Sequence, residues 1–147
     1  MSCLKLIITR HGESIWNKAN RFTGWSNINM NKNGIKKSIK SANILNKNKL
    51  KPNLILTSKL IRSINTSKII KDTLKIDNKI QNSWKLNERH YGMLEGMNRE
   101  DAYAIYGKNN IKNIRENFFL LPYIINNTPV YDTNILINNE IETPIGE

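Results

Sequence analysis

Two short apolar runs, each followed by a polar loop and a helical pattern, constrain the fold of this chain most strongly. Residues 4–9 and 54–57 are rich in Leu, Ile and Thr, and both predict buried strands. Apolar residues at helical spacing over 35–50 predict an amphipathic helix, with Asn31 or Asn33 as its cap, and another helix begins near Ser58. A repeated strand, loop and helix is typical of an α/β domain that binds ligands at the carboxyl ends of parallel strands.

Weaker patterns extend the same organisation towards the carboxyl terminus. Residues 79–84 predict a third strand, and residues 99–106 predict a helix that ends before a glycine. We therefore predict an α/β fold of three layers, a mostly parallel sheet with flanking helices, over residues 1–117. Residues 118–147 contain prolines and many asparagines with little periodicity, which predicts an irregular or poorly ordered segment of the same domain.

Composition narrows the classes of function. The formal net charge of +11 would fit a nucleic-acid partner, but the lysines are scattered among isoleucines and asparagines without aromatic residues arranged for base stacking. We therefore expect no nucleic-acid partner. No apolar run approaches the length of a membrane span, and Cys3 is the single cysteine, so we expect a cytoplasmic protein without a membrane partner or disulfides.

The first predicted strand ends in Arg10-His11-Gly12, which is a chemically sensible site for phosphate. Imidazole is mostly neutral at pH 7, since its reference pKa is about 6.5, and the neutral form is a nucleophile for phosphorus. A guanidinium can hold phosphate oxygens, and a glycine before a helix lets backbone amides approach an anion. As a tripeptide alone this is weak evidence, because a histidine at the end of a strand is more often structural.

The sequence around this tripeptide strengthens the interpretation. Residues 9–14 and 20–25, the strand-end segment 57–62 with its Ser58 and Arg62, and the long motif 83–96 closely resemble the cofactor-dependent phosphoglycerate mutases of the histidine phosphatase superfamily. The resemblance is continuous from about residue 4 to about residue 117. It implies a phosphoglycerate mutase-like fold and isomerisation of 3-phosphoglycerate to 2-phosphoglycerate through a phosphohistidine.

The resemblance also implies roles for individual residues. His11 would carry the phosphoryl group and Glu88 would shuttle the proton of the substrate hydroxyl. The cofactor would be 2,3-bisphosphoglycerate without a metal, and the partners would be small phosphorylated three-carbon acids, with a homo-oligomer left open. The substrate-binding set would comprise Arg10, Gly12, Glu13, Ser14, Asn17, Thr23, Gly24, Arg62, Arg89, His90, Tyr91, Arg99 and Arg115.

Several of these residues have a second interpretation. Close to phosphate, Glu88 is expected to have a raised pKa, whereas its alternative is a salt bridge with Arg89 or Arg62. The alternative for His90 is a loop residue hydrogen-bonded to the backbone. Arg99 stands where the family commonly has a lysine. Arg115 is followed by an acid where the family has a second arginine, so one cationic contact is in doubt.

Chains of this family continue through a further helix and a strand that carries a second histidine, in a His-Gly-Asn context. The present sequence ends at Glu147, before those elements. Without them we expect the fold to lack its C-terminal strand and helix, with impaired stability and weak or absent activity unless a second polypeptide completes the domain.

Three functions remain open at this stage. The first is a mutase acting on phosphoglycerates, and the second is a phosphomonoesterase that uses the same phosphohistidine, which the long motif 83–96 argues against. The third is a catalytically inactive remnant that binds phosphate. Labelling of His11 by bisphosphoglycerate separates the third from the other two.

Overall fold

The computed structural model describes residues 4–117, which form a small parallel sheet, five helices and two short 3-10 turns. The α/β class predicted from the sequence is confirmed. In chain order the elements are α1 (Ile15–Lys18), α2 (Lys32–Lys47), β1 (Ile55–Thr57), α3 (Ile61–Leu74), β2 (Ile80–Asn82), the turns Trp84–Leu86 and Gly92–Leu94, α4 (Arg99–Tyr106) and α5 (Lys108–Glu116).

The sheet comes from one strand-helix-strand unit. Strand β1 pairs with β2 in parallel, with Ile55 opposite Ile80 and Thr57 opposite Asn82. Helix α3 is the crossover between them, as parallel neighbours require. Because β1 ends where α3 is about to begin, the amino-terminal end of α3 lies at the carboxyl edge of the sheet, where the predicted site residues are also placed.

One face of α3 packs in the core at one end and contacts the candidate site at the other. Arg62, Thr66, Ile70 and Leu74 recur every four residues and are all buried, so they lie along the same side of the helix. The two apolar members pack against Ala42 of α2. The two polar members belong to the other end of the helix, where they face the loops around His11.

A second apolar cluster supports the long loop between β2 and α4. Phe22, Leu94, Ala102 and Ile111 are fully buried, and Tyr91, Tyr103 and Tyr106 pack around them. Helices α4 and α5 therefore hold this loop against the segment that follows α1. The loop carries Glu88, so this cluster fixes the backbone from which that carboxylate projects.

The prediction of a buried strand over residues 4–9 is wrong. These residues form no strand in the structure, and Leu6 and Ile8 are 80% and 85% exposed. A strand needs a hydrogen-bonded neighbour, and within residues 4–117 the two strands β1 and β2 pair with each other. The predicted buried strand at 54–57 is shorter, and Leu56 is 59% exposed.

The helices are closer to their predictions. Asn31 caps α2 by accepting a hydrogen bond from the Gly34 amide, and α4 has the predicted bounds. Helix α5 was not predicted. The predicted C-terminal segment 118–147 lies outside the described residues, so the division at residue 117 stays a prediction. No helix within the described part of the chain is long and apolar enough to cross a membrane.

Replacement of a fully buried leucine in the second cluster tests the packing of this loop. Leu94→Ala leaves a cavity, and we expect it to lower the free energy of unfolding by about 2 to 5 kcal/mol. Ile105→Ala on the exposed face of α4 is the control, expected to change that free energy by less than about 0.5 kcal/mol. Urea denaturation monitored by circular dichroism measures both. Equal effects of the two variants would contradict the described core.

Candidate active site

The His11 ring is held in one orientation by its own neighbour. Nδ1 lies 2.7 Å from the carbonyl oxygen of Gly12, and the Nε of Arg62 donates to Nε2 at 3.4 Å. Because a carbonyl only accepts, Nδ1 carries the proton and Nε2 keeps its lone pair, an assignment made from the hydrogen bonds. The unprotonated Nε2 is therefore the nitrogen that faces the other site residues.

The backbone next to His11 is anchored to α3. The Gly12 amide donates to Thr66 Oγ1 at 2.9 Å, and that hydroxyl donates to the Arg62 carbonyl. A side chain at residue 12 would collide with the sulfur of Met30 and the carbonyl of Gly34. Glycine is thus required here by close packing, which brings the histidine backbone against the helix that carries Arg62.

Arg62 is the central cation of the site, and its side chain is 0% exposed. Its guanidinium donates to the carbonyl of Gly24 at 2.6 Å, to the carbonyl of Ser26 at 2.9 Å and to Glu88 Oε2 at 3.1 Å. Burial lowers the pKa of Arg62, and the carboxylate of Glu88 opposes that shift. The arginine thus connects the loop at residues 24–26 and the loop of Glu88 to His11.

Glu88 completes the group, with Oε2 3.9 Å from His11 Nε2. Burial by itself would raise the pKa of Glu88, but the His11 ring, when Nε2 is protonated, and the charge of Arg62 outweigh burial and lower that pKa below its ordinary value. The predicted raised pKa refers to a carboxylate beside bound phosphate, so it stays a prediction. The predicted alternative, a salt bridge with Arg62, is present.

Two cavities flank the histidine. The first, of about 520 Å³, contains three cationic side chains together with polar groups. The second, of about 640 Å³, is more apolar and reaches Ser58 and Glu88. Arg10 and His11 line both cavities. The first is lined by Thr9, Arg10, His11, Gly12, Glu13, Asn17, Lys37, Ser38, Ser41, Thr66 and Arg99.

Four of the predicted binding residues lie in or beside the short helix α1. Ser14 and Asn17 form a reciprocal capping box at the start of α1, and Asn17 Nδ2 donates to Thr23 Oγ1 at 3.4 Å. Ser14 is fully buried by this role. The Glu13 carboxylate accepts from Asn31, and this hydrogen bond contributes most to a lowered pKa of Glu13. The cap orients the amide side chain of Asn17 along the cavity wall.

Of the other predicted arginines, Arg99 lines a cavity beside His11, whereas Arg89 and Arg115 do not. Arg99 lines the first cavity while its guanidinium lies 5.4 Å above the Phe22 ring, a cation-π arrangement. Arg89 and Tyr91 belong to the loop of Glu88 but line neither cavity, and the Tyr91 ring packs on Phe22. Arg115 is exposed on α5 and lines neither cavity.

His90 is hydrogen-bonded to the backbone, as its alternative interpretation states. The Gly92 amide donates to its Nδ1 at 2.8 Å, and its Nε2 lies 3.7 Å from the carboxylate of Glu95. Nδ1 is therefore the unprotonated nitrogen. Burial lowers the pKa of His90, against the raising effect of Glu95.

Within residues 4–117 no group of three or more histidine, cysteine or acidic side chains could hold a metal ion. The donors around His11 are instead guanidinium, amide and hydroxyl groups, together with the exposed ammonium of Lys37. This donor set fits the oxygen atoms of an anion.

Sequence reasoning missed two residues that organise the site. The Trp25 indole donates to the Glu88 carbonyl at 2.7 Å. The Glu95 carboxylate accepts from the amides of Trp25, Ser26 and Tyr91. Glu95 lies inside the motif 83–96, but an acid in a loop gives no sequence signal that it will be buried.

The fold and the histidine site define the class of protein. The model of the histidine phosphatase superfamily (branch 1) matches residues 6–117, and the chain belongs to this superfamily.

Among curated proteins the chain is similar to 2,3-bisphosphoglycerate-dependent phosphoglycerate mutases. It is 38% identical over its full length to that of Hamiltonella defensa and 40% identical to that of Buchnera aphidicola from Schizaphis graminum. It spans 61% and 66% of the lengths of these relatives. The mutase of Blochmanniella pennsylvanica is 43% identical over 83% of the chain, which spans 53% of that protein.

Solved structures show the same fold. Mycobacterial glucosyl-3-phosphoglycerate phosphatase superposes on 69% of this chain and 46% of its own, with a TM-score of 0.60 and 20% identity. YhfR of Bacillus stearothermophilus superposes on 66% of this chain and 46% of its own, with a TM-score of 0.59 and 27% identity.

The burial of His90 predicts a dependence of stability on pH. The unfolded chain protonates this histidine near pH 6.5, whereas the folded chain resists protonation. Protons therefore favour the unfolded state, and we expect the contribution of His90 to the free energy of unfolding to be lost as the pH falls below about 6.5. His90→Asn retains an acceptor for the Gly92 amide but does not titrate, so its stability should fall less between pH 7 and pH 5.5. Urea titrations at each pH measure the difference, and identical slopes would contradict it.

Proposed function

We propose that this chain carries the phosphohistidine chemistry of a 2,3-bisphosphoglycerate-dependent phosphoglycerate mutase, interconverting 3-phosphoglycerate and 2-phosphoglycerate in glycolysis and gluconeogenesis. The observation that carries the proposal is the convergence of His11, Arg62 and Glu88 within 4 Å of one another. A nucleophile, a cation and a base are what phosphoryl transfer to and from a hydroxyl requires.

His11 supplies the nucleophile. Its Nε2 lone pair points towards Arg62 and Glu88 rather than into the backbone, because the other nitrogen is occupied by the Gly12 carbonyl. No proton has to leave Nε2 before it bonds to phosphorus. Attack forms the nitrogen-phosphorus bond as the bond between phosphorus and the departing oxygen breaks, and the same nitrogen later releases the group.

Glu88 supplies the proton acceptor. Its lowered pKa keeps it ionised at neutral pH, so it can take the proton of an attacking hydroxyl and return it to a departing oxygen. A bound phosphate would add negative charge next to this carboxylate and move its pKa upward, which brings acid and base forms closer in population. Two backbone carbonyls fix Arg62. Its positive charge would therefore stabilise the negative charge on the equatorial oxygens of the transferring phosphoryl group.

The cationic cavity provides the binding surface for a small acidic substrate. Arg10, Lys37 and Arg99 line its wall, and three cationic side chains around about 520 Å³ suit a phosphorylated three-carbon acid. The same residues fit 2,3-bisphosphoglycerate, which when bound would supply the priming phosphoryl group. Asn17, which lines the same cavity, would complete the contacts through its side-chain amide, in a cytoplasmic setting.

The names of the curated relatives support the mutase rather than a general phosphatase. The phosphatase with the same fold is only 20% identical and supports the fold alone. Comparison of isomerisation with release of inorganic phosphate by the purified chain decides between the two activities. Faster release of phosphate than isomerisation would overturn the mutase.

Mass spectrometry of the intact chain after incubation with 2,3-bisphosphoglycerate tests the nucleophile. We expect one acid-labile phosphoryl group on His11 in the wild-type chain and none in His11→Asn. The chain has two histidines, so His90→Asn is the matched control and should still be labelled. A wild-type chain that takes no label, or a label found on His90, would overturn the proposed role of His11.

Replacement of the carboxylate by its amide tests the base. Glu88→Gln keeps an acceptor for Arg62 but cannot accept the hydroxyl proton, so we expect phosphoryl transfer from labelled His11 to 3-phosphoglycerate to slow by about 10² to 10⁴-fold. Glu100→Gln, on the exposed side of α4, is the control and should transfer at the wild-type rate. Rapid-quench measurement of label lost from the protein gives both rates. Unchanged transfer in Glu88→Gln would remove this residue from the mechanism.

A further inference from the structure

The carboxylate of Glu95 joins the two loops that form one side of the site. Its side chain is 2% exposed. One oxygen, Oε1, accepts from the Trp25 amide at 2.9 Å and the Tyr91 amide at 3.0 Å. The other, Oε2, accepts from the amide and the hydroxyl of Ser26 at 2.9 and 2.8 Å. Four donors thus converge on one buried anion.

The groups bound to Glu95 are adjacent to the groups that hold Arg62. The guanidinium donates to the carbonyls of Gly24 and Ser26, which flank the amides held by the carboxylate. The indole of Trp25 reaches across to the carbonyl of Glu88. Displacement of Glu95 would therefore move the carbonyl cradle of Arg62 and the backbone of Glu88 together.

Close packing leaves little tolerance in this arrangement. Gly24 has a positive φ of 52°, and a side chain there would collide with Glu95 Oε1. The loop at Gly24 packs directly against the Glu95 carboxylate. Glycine permits both the positive φ and this close approach. Glu95 itself lines neither cavity beside His11, so it does not touch a ligand in either of them.

From these contacts we infer that Glu95 is a positioning residue, whose buried carboxylate sets the distance between Arg62, Glu88 and the nucleophilic nitrogen of His11. The inference deepens the proposed function and rests on it for the catalytic consequence. The geometric consequence, placement of Arg62 against Glu88, is independent of turnover. A residue with only a structural role would lower stability and leave that placement unchanged.

Glu95→Gln is the sharpest variant, since it changes the size of the side chain little. An amide can accept on its oxygen side only, so its NH₂ group would face donors that now bind a carboxylate. We expect the loops to separate and the pKa of Glu88 to rise as Arg62 withdraws. Loss of the negative charge of Glu95 alone would lower the pKa of Glu88, so a rise reports displacement.

The measurement is a ¹³C NMR titration of the Glu88 carboxyl, assigned by comparison with Glu88→Gln. Ser26→Ala removes one hydrogen bond to Glu95 without changing any charge, and should give a smaller rise. Ile70→Val, in the cluster between α2 and α3, is a control that lowers thermal stability away from the loops and should leave the pKa of Glu88 unchanged. If Glu95→Gln does not fold, Ser26→Ala decides the outcome.

Labelling of His11 supplies the second measurement. We expect the rate of labelling by 2,3-bisphosphoglycerate to fall about 10- to 100-fold in Glu95→Gln, since misplacement by about 1 Å is enough for a loss of that size. A folded Glu95→Gln and a folded Ser26→Ala that both keep the wild-type pKa of Glu88 would overturn the inference. A wild-type chain that takes no label would refute the proposed function, while a raised pKa in Glu95→Gln would still support the positioning role.

Discussion

The buried charge of Arg62 is the constraint on which the rest of the site depends. A guanidinium removed from water is costly unless it is hydrogen-bonded, and here its three nitrogens donate to two carbonyls, a carboxylate and an imidazole nitrogen. Those partners come from segments that are far apart in sequence. The requirement to solvate one cation therefore determines where these segments meet, and they meet at Nε2 of His11.

Arg62 lies on a rigid helix, whereas its partner Glu88 lies on irregular backbone. Helix α3 carries Arg62 on the same face that packs into the core through Ile70 and Leu74, so the guanidinium inherits the rigidity of the helix. Glu88 lies on an irregular loop that is stabilised by the cluster around Leu94 and by the hydrogen bonds of Glu95. Buried contacts hold this loop in a fixed position, whereas helix α3 is rigid because of its own hydrogen bonds.

Local signals in the sequence were enough for most of the helices, but not for the pairing of strands or for contacts between distant segments. Asn31 and Gly107 mark helix ends through short-range hydrogen bonds and conformation, and the helices follow them. The strand predicted at residues 4–9 needed a neighbour, which local pattern cannot supply. The direction of the pKa shift of Glu88 depended on His11 and Arg62, which are both distant from it in the chain.

The hydrogen bond from His11 Nδ1 to the Gly12 carbonyl has a consequence for the regiochemistry of the modified residue. Two isomers of phosphohistidine exist, and a freely rotating ring could form either. Here one nitrogen is occupied by backbone throughout, so the group would bond only to the distal nitrogen. Under the proposed mechanism the main chain would thereby select a single isomer before any ligand binds, with its phosphorus directed at the guanidinium.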